Sequence, residues 1–412
     1  MISQAQVADG ANMLRQLQFP AGALITMEDL QDAGREHVLD RLREQEPVTW
    51  LPALGGWLIT SREGAREMLL PKAGATVEVS ENMVRASLGK MMLTVDAPAH
   101  DRLRAPFERP FRAREAEHAF GDFIRGQADA LIDRFADEGK AELHSAFAAE
   151  FAVAVAGHVI GLPLGESAKI DAYYADFAAA MVYDGDPEPV KRADLAREQL
   201  DKLLLAGLNA HRSSGAASLT NEVLASSDNE LSDEEVVAQL RVVMFGAVET
   251  IQASVMSTLL LLLTHPDALS QCLADRSLIP GAVDEAIRLI PPVAFIERWM
   301  GRPFTACGVT IEAGEFVGIS VIAVNRDPAV FVDPLTFDIH RANAKHGLGF
   351  SAGEHHCLGV HLARTQTAIA VDKLLSRLPN LTLVAAVPPA GFAFRRPGSL
   401  ELSWRVEPPI TT

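Results

Sequence analysis

Cysteine is scarce in this 412-residue chain: there are three, an odd number, at Cys272, Cys307 and Cys357, with no CxxC spacing among them. That excludes a disulfide scaffold and fits a reducing compartment. Long apolar runs are scarce as well. The longest, near Leu259–Leu263, stops at His265-Pro266, far below the roughly 20 residues that span a bilayer. Residues Met1 to Gly22 are polar and mixed in charge, with no basic segment leading into an apolar run, so neither a signal peptide nor a membrane anchor is expected. Basic residues are outnumbered, 37 Lys and Arg against 54 Asp and Glu, for a formal charge of −17. This argues against general nucleic-acid binding and against docking on anionic lipid. No Pro/Gly/Ser-rich linker divides the chain, so one helix-rich unit over residues 1–412 is expected. With 48% hydrophobic and 22% charged residues, the composition is that of a globular protein with a sizeable core. The expectation is a monomeric cytoplasmic protein.

Among the residues present, Phe350-Ser351-Ala352-Gly353-Glu354-His355-His356-Cys357-Leu358-Gly359 organises the rest. It joins a Gly-rich loop (Gly347, Gly349, Gly353) to an apolar-periodic helix expected from Leu358 to Leu378. A cysteine at a helix N-terminus meets the positive end of the macrodipole and unpaired backbone N–H groups, both of which favour the thiolate. Gly353 and Gly359 carry no Cβ, so the backbone can pass close beneath something flat and bulky. A free core cysteine and a zinc ligand within Glu354-His355-His356-Cys357 both stay open at this point. Zinc would require further ligands from a second cluster.

Residues Met27 to Gln45 read as one amphipathic helix stopped by Pro47. Val48–Leu51 and Trp57–Ile59, joined through Gly55-Gly56, read as a β-hairpin, and Thr60 with Glu63 as a capping box. Residues 71–95 lack periodicity, as a functional loop does. In the next helix His100 and Arg104 stand four apart on one face and could bind two carboxylates, although a solvated face is the plainer reading. From Glu115 to Gly215 helix follows helix, with breaks at Gly139, Pro163, Asp184-Gly185-Asp186-Pro187 and Ser213-Ser214-Gly215, the last helix ending near His211. Tyr173, Tyr174, Phe177 and Met181 are candidate lining residues or plain core, and His158 is expected to be a satisfied core histidine.

Ser232 as N-cap and Glu235 as its partner start a helix that meets no breaker until His265-Pro266, roughly 50 Å at 1.5 Å per residue. In its middle lies Phe245-Gly246-Ala247-Val248-Glu249-Thr250. Small residues permit close approach of a ligand, and a Thr bonding back to the carbonyl four residues earlier loosens the helix locally. Further on, Glu285 and Arg288 stand at i, i+3 among apolar neighbours, so a buried pair with additional partners is expected. Pro291-Pro292 ends that helix, Phe304 to Ile322 is a small β-region turned at Ala313-Gly314, and Pro388-Pro389 leads out of the last short strands.

The spacing Phe350-x-x-Gly353-x-His355-x-Cys357-x-Gly359 resembles the haem-binding loop of the cytochrome P450 monooxygenases. Other parts of that family stand in order: Gly246-Ala247-x-Glu249-Thr250 is similar to its oxygen-binding segment, Glu285-x-x-Arg288 with Arg341 to its structural network, and His100-x-x-x-Arg104 to its propionate-binding helix. The resemblance covers nearly the whole chain. It implies a mainly α fold with smaller β regions, a triangular helical prism, holding haem b. Cys357 is then the axial iron ligand. His100, Arg104 and Arg298 face the propionates, His355 holds the family's cationic position two residues before the cysteine, and Ala247, Phe350 and Gly359 lie against the porphyrin. Thr250 and Glu249 are the alcohol and the acid of oxygen activation. It implies a lid around the 184–187 break. Residues 71–95 then lie over the substrate, with Val242, Phe245, Val293, Phe295 and Phe394 as candidate pocket residues for an apolar small molecule. Electrons are expected from a separate ferredoxin and ferredoxin reductase. A peroxide-driven haem-thiolate peroxygenase and a non-catalytic haem-binding protein are the alternatives. Two positions depart from the pattern: Ser351 stands where glycine is common, and His346 lies one residue too far from Cys357 for the frequent propionate-binding histidine, so it receives no role.

Overall fold

The computed structural model describes residues 4–32, 34–161, 167–181, 186–214, 219–225 and 231–406. Helices predominate and small sheets flank them, as the sequence predicted. The helix Asp233–Thr264, 32 residues long, starts as expected: the Ser232 hydroxyl takes the Glu235 N–H and the Glu235 carboxylate takes the Ser232 N–H. It is buried on most sides between Val236 and Leu259, because the helices Ala149–Ile160, Pro187–Ser214, Ile279–Leu289 and Val360–Arg377 pack around it. A helix covered all round must be apolar all round. By length and composition it could cross a membrane, and 67% of its most apolar window is buried within the protein.

The largest sheet has five strands in the order Val48–Leu51, Gly56–Ile59, Phe316–Ser320, Phe295–Met300 and Ala75–Thr76. The first two make the expected hairpin, with Trp50 opposite Trp57 and Gly55 in the turn at φ +61°. Phe316–Ser320 joins that hairpin in parallel and pairs antiparallel with Phe295–Met300. The latter strand is tied at its start to a turn near the C-terminus, Ala294 N–H to Ala393 O at 2.8 Å and Arg395 N–H to Pro292 O at 2.9 Å. Residues 293–298 and 393–394 are thereby held side by side.

Several expectations are corrected. The helix read over Met27–Gln45 is two, Met27–Gln31 and Arg35–Gln45. Asp32 adopts an extended conformation (ψ 156°), and the break lets Arg35 turn inward to the Phe392 carbonyl. Ser61, not Thr60, caps the next helix, taking the Gly64 N–H, while the Thr60 hydroxyl is spent on Pro47 O. Pro388 and Pro389 lie inside the strand Thr382–Ala390, which is tolerated because that strand is at a sheet edge. His158 is exposed and stacks flat on Phe123, ring centroids 3.6 Å apart. The helix expected to end near His211 runs to Ser214, and the last long helix starts at Val360. Pro163, Asp184, Gly185 and Gly215 lie outside the described residues.

Candidate functional site

The cysteine loop is held from behind by a fully buried ion network. Glu285 receives Arg288 through both guanidinium arms, each at 2.7 Å, and Arg341 at 2.9 Å, with Glu285 and Arg288 side chains at 0% exposure. Burying these charges is tolerable only because the remaining donors find partners. Arg288 reaches the carbonyls of Asn325 (2.8 Å) and Pro334 (2.7 Å), and Arg341 that of Val332 (2.6 Å). Asn325 in turn accepts the Leu348 N–H on its side-chain oxygen at 2.6 Å. The expected third member, Arg341, is therefore in place, and Asn325, which the sequence did not single out, carries the support to the loop.

Within the loop the chain doubles back, with Cys357 N–H donating to Phe350 O at 3.0 Å and His356 N–H to Gly353 O at 3.1 Å. Gly353 has φ +71°, and a Cβ there would sit 1.9 Å from the Leu69 carbonyl. Its missing side chain thus serves a protein contact, not a ligand as expected. Ser351 is also left-handed, φ +58°, a conformation glycine adopts without strain. Gly359 differs, since nothing lies within 4 Å of a Cβ built on it. The same holds for Gly246 on the long helix.

Between these two glycines opens a cavity. Cys357, Phe350, Gly359 and Leu358 of the cysteine loop line it, as do Gly246, Ala247 and Thr250 of the long helix. All five candidate pocket residues, Val242, Phe245, Val293, Phe295 and Phe394, line it too. Residues 71–95, expected to be a loop, hold the strand Ala75–Thr76 and the helix Met83–Leu88, too short to show periodicity, and contribute Met83, Val84, Met92 and Leu93 to the lining. Of the lid candidates Met181 lines the cavity, whereas Tyr174 and Phe177 are wholly buried core.

Arg104, Arg298 and His355 project into the cavity. His100 stands behind, 3% exposed, its ring 4.6 Å from that of His355. His100 Nδ1 faces Asp101 at 3.0 Å and Glu354 at 3.4 Å, while its Nε2 and both ring nitrogens of His355 are buried without a partner. Burial, with Arg298, His100 and Arg104 close by, pushes His355 down to about 3, so the cation expected there is a neutral imidazole in this arrangement. Burial also lowers Arg298 to about 10, against the pull of Glu297, Asp96 and Glu354. Basic groups crowded around unpartnered nitrogens match a ligand carrying carboxylates. Burial raises the Cys357 thiol while the Gly359 N–H and the nearby Arg104 and Arg364 draw it back. Among the described residues, the one group of His, Cys, Asp or Glu close enough to share a metal is His100, Asp101 and Glu354, and it excludes Cys357. Haem fits this set of residues: a sulfur donor in a cavity where Gly246 and Gly359 leave room, lined also by Arg104 and Arg298 and by His355, whose buried ring nitrogens lack a partner.

On the long helix the Thr250 hydroxyl donates to Gly246 O, and the pattern repeats with Ser254 to Thr250 O and Thr258 to Ser254 O, these last two at 2.7 Å. Glu249 does not line the cavity; it is turned into the protein at 7% exposure, and burial pushes it up to about 7, with Arg396 lowering it and Asp171 raising it. Arg364, seven residues after Cys357, lies over the Phe350 ring at 4.7 Å and was also missed. His346 is exposed and lies outside the cavity.

The fold and the site define a haem-thiolate oxidoreductase, and the comparisons agree. The sequence model of the cytochrome P450 family matches residues 190–382. Cytochrome P450 107B1 of Saccharopolyspora erythraea is 30% identical over 381 residues, 88% of this chain and 92% of that protein. Mycinamicin IV hydroxylase/epoxidase of Micromonospora griseorubida is 31% identical over 355 residues, 83% of this chain and 87% of its own. Among solved structures, P450BioI in complex with an acyl carrier protein ligated to hexadec-9Z-enoic acid superposes with a TM-score of 0.85 at 26% identity, covering 92% of this chain and all of that one. The chain belongs to the cytochrome P450 family and is a haem-thiolate monooxygenase of the bacterial type.

Proposed function

We propose that this protein binds haem b through Cys357 and inserts one oxygen atom of O2 into an apolar small molecule, by hydroxylation or epoxidation. The observation that carries this reading is that Cys357 of the glycine-rich loop and Thr250 of the long helix line one largely apolar cavity, together with Arg104, Arg298 and His355. Haem bound there supplies reductive activation of O2, assisted by electron donation from the thiolate.

This chain's own residues do the rest. Arg104, Arg298 and His355 hold the propionates, with His100 orienting His355 from behind. Ala247, Phe350 and Gly359 flank the porphyrin. The Thr250 hydroxyl, its proton given to Gly246 O, offers its lone pairs as an acceptor at the reacting centre, and Glu249, buried outside the cavity one residue away, is the acid held in reserve on that helix. Phe245, Val293, Phe295 and Phe394 orient an apolar substrate and exclude water. The groove on the other side of the cysteine loop is lined by Arg62, Arg66, Lys345, His346, His361 and Arg364 against one acid, Glu63. In a chain of net charge −17 such a basic groove suits an acidic ferredoxin reduced by its own reductase. Residues 1–412 then act as one catalytic unit in the cytoplasm. Reconstitution with ferredoxin, reductase and 18O-labelled O2 tests the reading: one labelled atom per product supports it, and equal turnover on peroxide alone points to a peroxygenase instead.

A further inference from the structure

The helix Ile279–Leu289 supports the cysteine loop twice. Glu285 does so through Arg288 and Asn325. Asp284, one residue earlier and 7% exposed, takes the Arg364 Nε–H on Oδ1 at 2.6 Å, while its other oxygen lies 3.6 Å from Lys345 Nζ. Arg364 belongs to the last long helix, Val360–Arg377, and its guanidinium lies over the Phe350 ring, 4.7 Å from the centroid. Phe350 in turn accepts the Cys357 N–H on its carbonyl at 3.0 Å. It lines the cavity together with Cys357 and the basic groove together with Arg364, so one side chain is shared by both spaces. An arginine on a groove wall, its side chain 25% exposed, swings into water unless something fixes it, because its stem has many rotamers. Here a nearly buried carboxylate holds it by a short, charge-assisted bond, and the ring face below attracts the same cation. A positive charge beside a thiolate draws electron density from the sulfur and favours the reduced state of the metal that the sulfur ligates.

We infer that Asp284 is a positioning residue: it holds Arg364 over Phe350, so that a fixed positive charge flanks the cysteine loop and raises the reduction potential of the haem that Cys357 ligates. The inference rests on Cys357 as the axial ligand and names what this chain uses to set the electron donation of that sulfur. Asp284 does not line the cavity and acts through Arg364.

The test uses the holoenzyme and two readouts that need no electron donor: the midpoint potential of the haem and the C–O stretching frequency of its reduced carbon-monoxide adduct. A sulfur that donates more lowers both. Arg364→Gln should therefore lower both. Asp284→Ala, at a helix position where alanine is well tolerated, removes a negative charge, which by itself would raise both; because it releases Arg364, both should fall instead. Asp284→Glu should keep the parent's values, and in the Arg364→Gln background Asp284→Ala should lower neither further. A rise in Asp284→Ala, values equal to the parent's, or a fall that persists at full size without Arg364 overturns the proposal. Should Asp284→Ala lose its haem, Asp284→Asn, which keeps the shape and drops the charge, is read by the same criteria. A parent adduct without the thiolate band sinks the ligand assignment itself. That band with potentials indifferent to Asp284 sinks only the positioning.

Discussion

Arg288 donates to the Asn325 carbonyl at 2.8 Å, and Asn325 receives the Leu348 N–H at 2.6 Å. Two hydrogen bonds therefore join a buried ion pair to the loop that presents Cys357. Arg288→Ala would take both of its hydrogen bonds from Glu285, leaving Arg341 to face that carboxylate, and would remove the donor from the Asn325 and Pro334 carbonyls. Removing one partner of a buried pair costs about 3–5 kcal/mol. Denaturant unfolding should show a loss of that order with little haem retained. Arg288→Lys should fare almost as badly, because an ammonium cannot reproduce the two-armed grip on Glu285.

Thr250 is bonded to its own helix and needs nothing from haem to stay in place. Thr250→Ala should keep haem content and stability within about 0.5 kcal/mol of the parent, yet divert most electrons to peroxide. Peroxide released per electron pair is the measurement, and coupling equal to the parent's would contradict the role given to the hydroxyl.

The glycines of the cysteine loop should separate two functions. Gly353→Ala forces a Cβ against the Leu69 carbonyl at φ +71°, so it should destabilise the protein by about 1–3 kcal/mol even without haem. Gly359→Ala meets no protein atom within 4 Å, so the haem-free protein should unfold as the parent does while haem affinity drops. Equal effects of the two variants on the haem-free protein would contradict this division.

Glu249 gives the stability of the protein a pH signature. Its folded value of about 7 lies above the ordinary 4.5 of a glutamate. The folded state therefore binds more protons than the unfolded state between those values, and stability falls as pH rises through that window. Glu249→Gln removes the term. Relative to the parent it should gain on the order of 2–3 kcal/mol between pH 4.5 and 7 and little above. Denaturant unfolding of both proteins at pH 5, 7 and 8 measures this.

Local signals were legible where one short stretch decides the outcome. The Ser232–Glu235 cap, the 48–59 hairpin and the Glu285–Arg288 pair are set by neighbours in sequence, and each appears as read. The break after Gln31 was hidden because it serves the contact of Arg35 with Phe392, 357 residues away. Asn325 and Arg364 act on the cysteine loop through the fold alone, and no spacing announces them. Gly353 and Gly359 look alike in sequence, but one is emptied for Leu69 and the other for the cavity. His355 stands at a position that the family resemblance makes cationic, and burial, with Arg298, His100 and Arg104 close by, is what pushes it towards the neutral form.

The most direct test is the absorption spectrum of the reduced, carbon-monoxide-treated holoenzyme beside Cys357→His. If Cys357 is the axial ligand, the parent shows the long-wavelength band peculiar to thiolate-ligated haem, and the variant binds haem without it. The same band in both proteins, or its absence from a haem-loaded parent, would contradict the central claim.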